Sequence, residues 1–304
     1  MNNSYPRLIA DIGGTNARFS IETAQFTYEY TLVLACKDYA DLSDAIANYL
    51  NTVGFSGVIK NAAIALPAPE VQDMYYMANS PWQAFSANQA RINSGFDNLL
   101  FLNDFHDLAL AVPFIDKKNL IKVGGLSEPD ETKPIAIIGP GTGLGIASLI
   151  KSPNGDYITV PSEGSRSSFS PVNEEEIDIW KFVHRRFSHV SFERLVSGSG
   201  LQLIYEALHN INRKSIEQIP APAKIVENGI NSQDWICKQT VDIFCRLFGT
   251  VVSNFAVSIN AFGGIYIGGG IIPKMLDYFV KSEFRSRFED KGRYRPYLVN
   301  LPIY

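Results

Sequence analysis

The residues able to do chemistry in this chain sit in three glycine-rich stretches and beside a few carboxylates. The first stretch is Asp11-Ile12-Gly13-Gly14-Thr15-Asn16-Ala17-Arg18, set between the apolar runs Leu8-Ile9-Ala10 and Phe19-Ser20-Ile21. It reads as strand, tight turn, strand. Glycines in such a turn let backbone N–H groups approach an anion, because no Cβ blocks the way. Thr15 and Asn16 add short side-chain donors, and Asp11 could hold a hydrated divalent cation through water. Taken alone, the Gly-Gly turn is equally an ordinary glycine hairpin.

The same architecture returns twice. Ile135-Ala136-Ile137-Ile138 enters Gly139-Pro140-Gly141-Thr142-Gly143-Leu144-Gly145, which leads into Ile146-Ala147-Ser148-Leu149-Ile150. Further on, Gly263-Gly264-Ile265-Tyr266-Ile267-Gly268-Gly269-Gly270 is again an apolar strand running into glycines, with a helix expected from about Pro273. One such turn is a weak signal, and three directly after strands are a stronger one. Two hairpins facing each other would grip a polyphosphate from both sides, with the third closing over base and ribose.

The elements that must position these turns alternate between strand and helix. A helix is expected over 38–50, with Tyr39, Leu42, Ala45, Ile46, Tyr49 and Leu50 on one face and Gly54 as its stop. The run 59–66 reads as a buried strand ended by Pro67, residues 75–85 as turn-rich, and Ser86 as the cap of a short helix ending near Gly95. Leu99-Leu100-Phe101-Leu102 is a strand leading straight into Asn103-Asp104-Phe105. Asn154-Gly155 marks a hairpin. Asn173 begins a helix that carries acids first and His184, Arg185 and Arg186 last, matching the helix dipole. Ser191 is expected to cap the segment holding Glu193, and Gly198 and Gly200 to precede a helix over 201–209. Pro220-Ala221-Pro222 reads as a connector, and residues 234–259 as one or two long buried helices. Sheets with helices packed on them are the fold this order implies. At 304 residues two domains are expected, with a boundary near Pro113 that gives 1–114 and 115–304.

Composition narrows the class. Hydrophobic residues make up 46% and charged residues 19%, which is globular and not disordered. A net charge of −4 gives no basic field for nucleic acid. No uninterrupted apolar run reaches membrane-span length, and the first residues lack a signal-peptide core. Cys36, Cys237 and Cys245 are scattered, without the spacing of a zinc site, and suit a reducing cytoplasm.

On these residues the sequence resembles the hexose kinases of the actin-like ATPase superfamily, and most closely the bacterial-type glucokinases, from about Leu8 to Tyr304. The resemblance implies two actin-like, ribonuclease H-like α/β domains, with mixed sheets flanked by helices and a cleft between them. It implies ATP and Mg²⁺ as cofactors, a hexose as acceptor, and glucose to glucose 6-phosphate as the reaction. Ala10, Asp11, Ile12, Gly13, Gly14, Thr15 and Asn16 would form the first phosphate motif, with Asp11 on the metal. Gly141, Thr142 and Gly143 would belong to the second, and Gly268 and Gly269 to the adenosine motif. Asp104 would be the general base for the sugar hydroxyl and Asn103 a sugar hydrogen-bonder. As a strand–helix junction residue, Asp104 is equally suited to be a helix N-cap. Glu163 and Glu193 match two sugar-binding positions, although either alone reads as a solvated surface charge. Homodimers are common among similar enzymes.

Two departures stand out. Where the family runs Gly-Gly-His after the first glutamate, with a sugar-binding histidine, this chain has Gly164-Ser165-Arg166, followed by Ser167 and Ser168. Arginine is longer, always charged and a donor only, so it would pair with Glu163, donate to a sugar oxygen, or block part of the pocket. The resemblance also implies a glycine-containing turn and a last helix following Asn300-Leu301-Pro302-Ile303-Tyr304 and packing on the first domain. Without them, apolar surface there would be exposed and the link between domains loosened.

Three readings compete with glucose phosphorylation. Arg166 would redirect the kinase to mannose, fructose or an amino sugar. A catalytically weak sugar or nucleotide sensor of the same fold would bind without turnover, though related regulators and kinases often carry an N-terminal DNA-binding region or a cysteine-rich zinc motif, neither of which is read here. A dinucleotide-binding fold fits least, because the first glycines lead into a strand and Gly-x-Gly-x-x-Gly is missing there.

Overall fold

The computed structural model describes residues 5–66, 70–77, 80–82, 84–102 and 104–304, without the side chains of Glu70, Val71 and Asp104. The chain divides into two compact units, Met1–Asp107 and Leu108–Tyr304, whereas the sequence places the boundary between residues 114 and 115.

In the first unit, β1 (Arg7–Ile12), β2 (Asn16–Ala24) and β3 (Thr27–Ala35) form an antiparallel meander. β4 (Asn61–Ala65) and β8 (Asn98–Leu102) then add in parallel, giving the order β3-β2-β1-β4-β8. Within 75–85, expected to be turn-rich, residues 78, 79 and 83 lie outside the described residues, and strands stand at both ends. β5 (Glu70–Val71), β6 (Met74–Tyr76) and β7 (Ala84–Ser86) form a small antiparallel sheet of their own. These strands are two or three residues long, too short for an alternating pattern to be read.

α1 (Leu42–Val53) begins four residues later than its apolar pattern suggests, because the Asp41 side chain accepts from the Asp44 N–H at 2.9 Å and caps it there. Gly54 closes it in the left-handed region, as expected. Leu42, Ala45, Ile46 and Tyr49 are buried against the sheet, and the Tyr49 ring stacks on Phe19 at 5.0 Å. Ser86 caps α2 (Ala87–Asn93) by accepting from the Gln89 N–H. α3 (Asp104–Ala111) follows β8 after Asn103, which lies outside the described residues.

The second unit repeats the plan. β9 (Ile135–Pro140), β10 (Leu144–Lys151) and β11 (Tyr157–Ser162) form another antiparallel meander, with the hairpin at Gly155 as the sequence implies. β12 (Ile265–Ile267) pairs in parallel with β9, giving β11-β10-β9-β12. Residues 302–304 extend the β12 edge: Ile265 N–H donates to Pro302 O and Ile267 N–H to Tyr304 O.

Helices cover this sheet. α4 (Glu174–His184) is capped by Asn173, and α5 (Phe192–Leu195) by Ser191. α6 (Gly198–Ile211) contains the two glycines expected to precede it, because Ser197 is the cap and its Oγ accepts from the Gly200 N–H at 3.1 Å. α7 (Pro222–Ile230) uses the last residue of the expected connector as its first helical position. α8 (Trp235–Ile259) is one continuous helix, capped by Asp234. It is long and apolar enough to span a membrane by length and composition, but most of it is buried in this unit against α6, α7 and α10 (Phe284–Glu289). α9 (Leu276–Lys281) is preceded by a 3₁₀ turn over Ile272–Met275, and α11 (Arg295–Leu298) completes the unit.

One buried ion pair ties α4 to α10. Glu176 is fully buried, its carboxylate accepting from the Val172 N–H at 3.0 Å and from the Arg287 guanidinium. A charge removed from water this completely is tolerable only while it is paired and hydrogen-bonded. Glu176→Gln would leave Arg287 short of its counter-charge at a cost of about 3 kcal/mol, a fall in melting temperature on the order of 10 °C by thermal denaturation. An unchanged melting temperature would show that the pair contributes nothing.

Candidate active site

The two sheets place their glycine turns in the same way. In the first unit, Asp11 pairs with Ala65, and Ala65 with Leu102, so β1, β4 and β8 end level at one edge. The first turn leaves β1 at that edge, closed by a Gly13 N–H bond to Asn16 O at 2.8 Å. Asp104 starts α3 two residues beyond Leu102, at the same edge. Two strand spacings separate the ends of β1 and β8, about 10 Å. Asp11 sits at the mouth of the turn with its side chain 63% exposed, and Arg18 approaches it at 3.4 Å. His106, one turn into α3, has its pKa lowered by burial, so the neutral imidazole is favoured there.

In the second unit, Ile138 pairs with Ile146 and with Ile267, and Ile146 pairs with Ser162. These four residues form one row across the sheet. The second glycine turn, Glu163 and Gly268 all lie immediately past that row, at one edge. The second turn is closed by Gly141 N–H to Gly143 O at 2.8 Å, so both turns have three-residue tips, 13–15 and 141–143.

The glycines fall into two kinds. A Cβ on Gly139 would lie 2.4 Å from the backbone C and O of Gly268, and Gly269, at φ +80°, approaches Pro140 O just as closely. The Gly269 distance is likewise the one a Cβ there would have to Pro140 O, so glycine is required at both positions for the second and third turns to meet. At Gly141 and Gly270 the protein itself leaves room: the nearest atom to a Cβ on Gly141 is 3.9 Å away, and nothing lies within 4 Å at Gly270. Gly13 likewise would make only an ordinary contact, 3.5 Å to Asn16 O, and none of the three has a positive φ. Packing gives no reason for glycine at these positions, whereas close approach of a ligand to the backbone does.

Glu193 is built into the second turn. Its Oε2 accepts from the Leu144 N–H at 3.1 Å, and a Cβ on Gly143 would stand 2.8 Å from that oxygen. The N-terminus of α6 also backs onto the turn, Gly198 N–H donating to Gly141 O at 2.9 Å. The contacts of Leu144 with Glu193 and of Gly198 with Gly141 are not expected from the sequence. The available signal was Ser197-x-x-Gly200, a capping pattern that places Gly198 at a helix N-terminus. Arg166 lies between the two glutamates, with Nε 3.2 Å from Glu163 Oε2 and a terminal nitrogen 3.1 Å from Glu193 Oε1. Of the three roles open to it in the sequence, pairing with Glu163 is observed, and it extends to Glu193.

Comparison with known proteins identifies this arrangement. The family profile described as Glucokinase matches residues 8–304. The chain belongs to the glucokinase family. It is 47% identical over 300 residues to a glucokinase of Neisseria gonorrhoeae, covering 99% of this chain and 90% of that protein. It is 44% identical to a glucokinase of Chromobacterium violaceum, covering 99% and 85%. Among solved structures, a glucokinase from an Antarctic psychrotroph superposes with a TM-score of 0.86 at 31% identity, covering 98% of this chain and 93% of that one. A Balamuthia mandrillaris glucokinase in complex with glucose shares the fold, with a TM-score of 0.79 at 18% identity.

Where two turns meet through bare backbone, a single methyl group is a direct test. Gly139→Ala should lower the melting temperature and weaken ATP binding together, since the Gly268 backbone must move to admit it. A variant with wild-type stability and wild-type nucleotide affinity would show that the contact between the turns carries neither.

Proposed function

We propose that this chain transfers the γ-phosphoryl group of ATP to the 6-hydroxyl of glucose, giving glucose 6-phosphate and ADP. The reading rests above all on one observation in the first unit: Asp104 begins α3 at the sheet edge that also carries Asp11 and the first glycine turn. A carboxylate beside an anion-binding turn is the minimum set for moving a phosphoryl group to an alcohol. Such transfer needs positioning, charge neutralisation and a group to take the hydroxyl proton.

In this mechanism the N–H groups and short side chains of the turn at 13–16 bind phosphate oxygens, as do those of the turn at 141–143. Gly268 and Gly269 lie against the nucleoside. Asn103 and Asp104 hold the acceptor hydroxyl, and the Asp104 carboxylate takes its proton as the new P–O bond forms. Glu163 and the Oε1 of Glu193 accept hydrogen bonds from other sugar hydroxyls. A sugar lacking one of those hydroxyls would leave a carboxylate oxygen unpaired, and that penalty is the source of discrimination.

The residues present fit the Mg²⁺ that accompanies ATP. Mg²⁺ keeps most of its waters and takes one or two carboxylates plus phosphate oxygens, not a cage of protein ligands. Among the described residues no group of three His, Cys, Asp or Glu could hold a metal alone. Asp11, exposed and only loosely paired with Arg18, is the carboxylate suited to hold the ion through water. When bound, Mg²⁺ neutralises charge on the phosphate oxygens. Three buried free thiols, Cys36, Cys237 and Cys245, support a reducing compartment, the cytoplasm.

Asp104→Asn separates chemistry from binding. The amide keeps the size and hydrogen-bonding reach of the carboxylate but cannot take the proton. Turnover with glucose and ATP should fall by about 10²–10⁴-fold while glucose affinity, measured by calorimetry, is retained. Turnover at the wild-type rate would remove Asp104 from the mechanism.

A further inference from the structure

We propose that Arg166 is a specificity-determining residue that sets hexose affinity by competing with the sugar for its own carboxylates. The inference rests on the reading above, in which Glu163 and Glu193 accept sugar hydroxyls. It goes beyond that reading by assigning a role to the cation between them.

Consider what each glutamate has to offer. Glu193 is only 25% exposed, and its Oε2 is committed to the Leu144 N–H of the second turn. Its other oxygen, Oε1, is the one left for a sugar, and it is the one Arg166 contacts at 3.1 Å. Glu163 is 81% exposed, and Arg166 Nε contacts its Oε2 at 3.2 Å. One guanidinium therefore engages both carboxylates at once. Its charged N–H donors are stronger partners for a carboxylate than a neutral hydroxyl is.

The guanidinium stays close because its backbone is held. Gly164–Arg166 form a 3₁₀ turn, with Arg166 N–H donating to Glu163 O at 2.9 Å and Ser167 N–H to Gly164 O at 3.1 Å. Ser167 Oγ donates to the same Gly164 carbonyl at 2.7 Å. Phe192 N–H then donates to Ser167 O at 3.1 Å, fixing this turn beside the segment that carries Glu193. The side chain of Arg166 remains 66% exposed, so its pairs are made in partly solvated surroundings and can open.

A neutral hexose must therefore displace or share two ion pairs to reach its hydrogen-bond acceptors. Exposed pairs are individually weak, and two together oppose sugar binding by about three- to tenfold. Two consequences follow. Salt screens exposed ion pairs, so affinity for an uncharged sugar should rise with ionic strength, a dependence that a neutral ligand does not otherwise have. In addition, the trio carries a net charge of one negative unit in place of two, which lowers its attraction for a cationic amino sugar relative to glucose.

The test is calorimetric titration of glucose into the intact protein without ATP, at about 20 mM and about 500 mM salt, a range over which the Debye length shrinks severalfold. Wild type is compared with Arg166→Gln and Arg166→Lys. Arg166→Gln should bind glucose about three- to tenfold more tightly at low salt and lose the salt dependence, while Arg166→Lys keeps it. The wild-type salt dependence is read without any variant, so it stands even if a substitution impairs folding. Equal or weaker binding by Arg166→Gln, or wild-type affinity indifferent to salt, overturns the proposal. Glucose binding that is equal in all three proteins overturns it alone, whereas no glucose binding in any of them overturns the proposed function as well.

Discussion

The architecture of the second unit depends on the end of β9 being bare. Gly139 and Pro140 lie against Gly268 and Gly269 backbone to backbone, at distances that admit no Cβ on either glycine. Gly268 N–H donates to Ile138 O, and Ile271 N–H to Pro140 O, so this contact is also a hydrogen-bonded continuation of the β9–β12 pairing. One residue further on, the tip at 141–143 receives α6 through Gly198 and Glu193 through Leu144. Three separate elements converge on the end of β9 and the turn that follows it. The turn has little freedom left, which suits a site that must present its N–H groups already arranged.

The same convergence extends to Arg166. Glu193 has one oxygen on the Leu144 N–H at the second turn and one toward Arg166, which in turn reaches Glu163. Under the proposed function, a single carboxylate would serve both the sugar contacts and the backbone geometry of the turn. In the first unit the equivalent economy comes from the sheet. Three parallel strands ending level bring Asp11, the first turn and the start of α3 to one edge.

Much of this was legible in the residue order. Apolar strands running into glycines are local signals, as are Asn154-Gly155, the Asn173 cap and the stop at Gly54, and each appears where expected. The repeated strand–turn–strand pattern correctly announced two sheets of like plan. What failed had physical causes. Gly198 and Gly200 read as preceding the helix because propensity counts against glycine inside one, yet Ser197 caps the helix and the close approach of Leu195 to Gly200 leaves no room for a side chain. The β5–β7 sheet escaped because its strands are shorter than any period. The meeting of Arg166 with Glu193 could not be read either, since 27 positions separate them and the pairing of residues 167–169 with residues 190–192 brings them together. The resemblance supplied the candidate roles of Asp104, Glu163 and Glu193. The structure supplied the placement of Asp104 and Glu163 at sheet edges and of Glu193 on α5 against the second turn, except for the side chain of Asp104, which lies outside what it describes.

The account stands or falls on coupling between ATP cleavage and sugar phosphorylation. The most direct measurement is the stoichiometry of products formed from ATP, Mg²⁺ and glucose, with ADP and sugar phosphate quantified in the same reaction by ³¹P NMR. Equal amounts of ADP and glucose 6-phosphate, formed only when the sugar is present, are what this account predicts. ADP accumulating without sugar phosphate, or no ADP at all with glucose present, would contradict it.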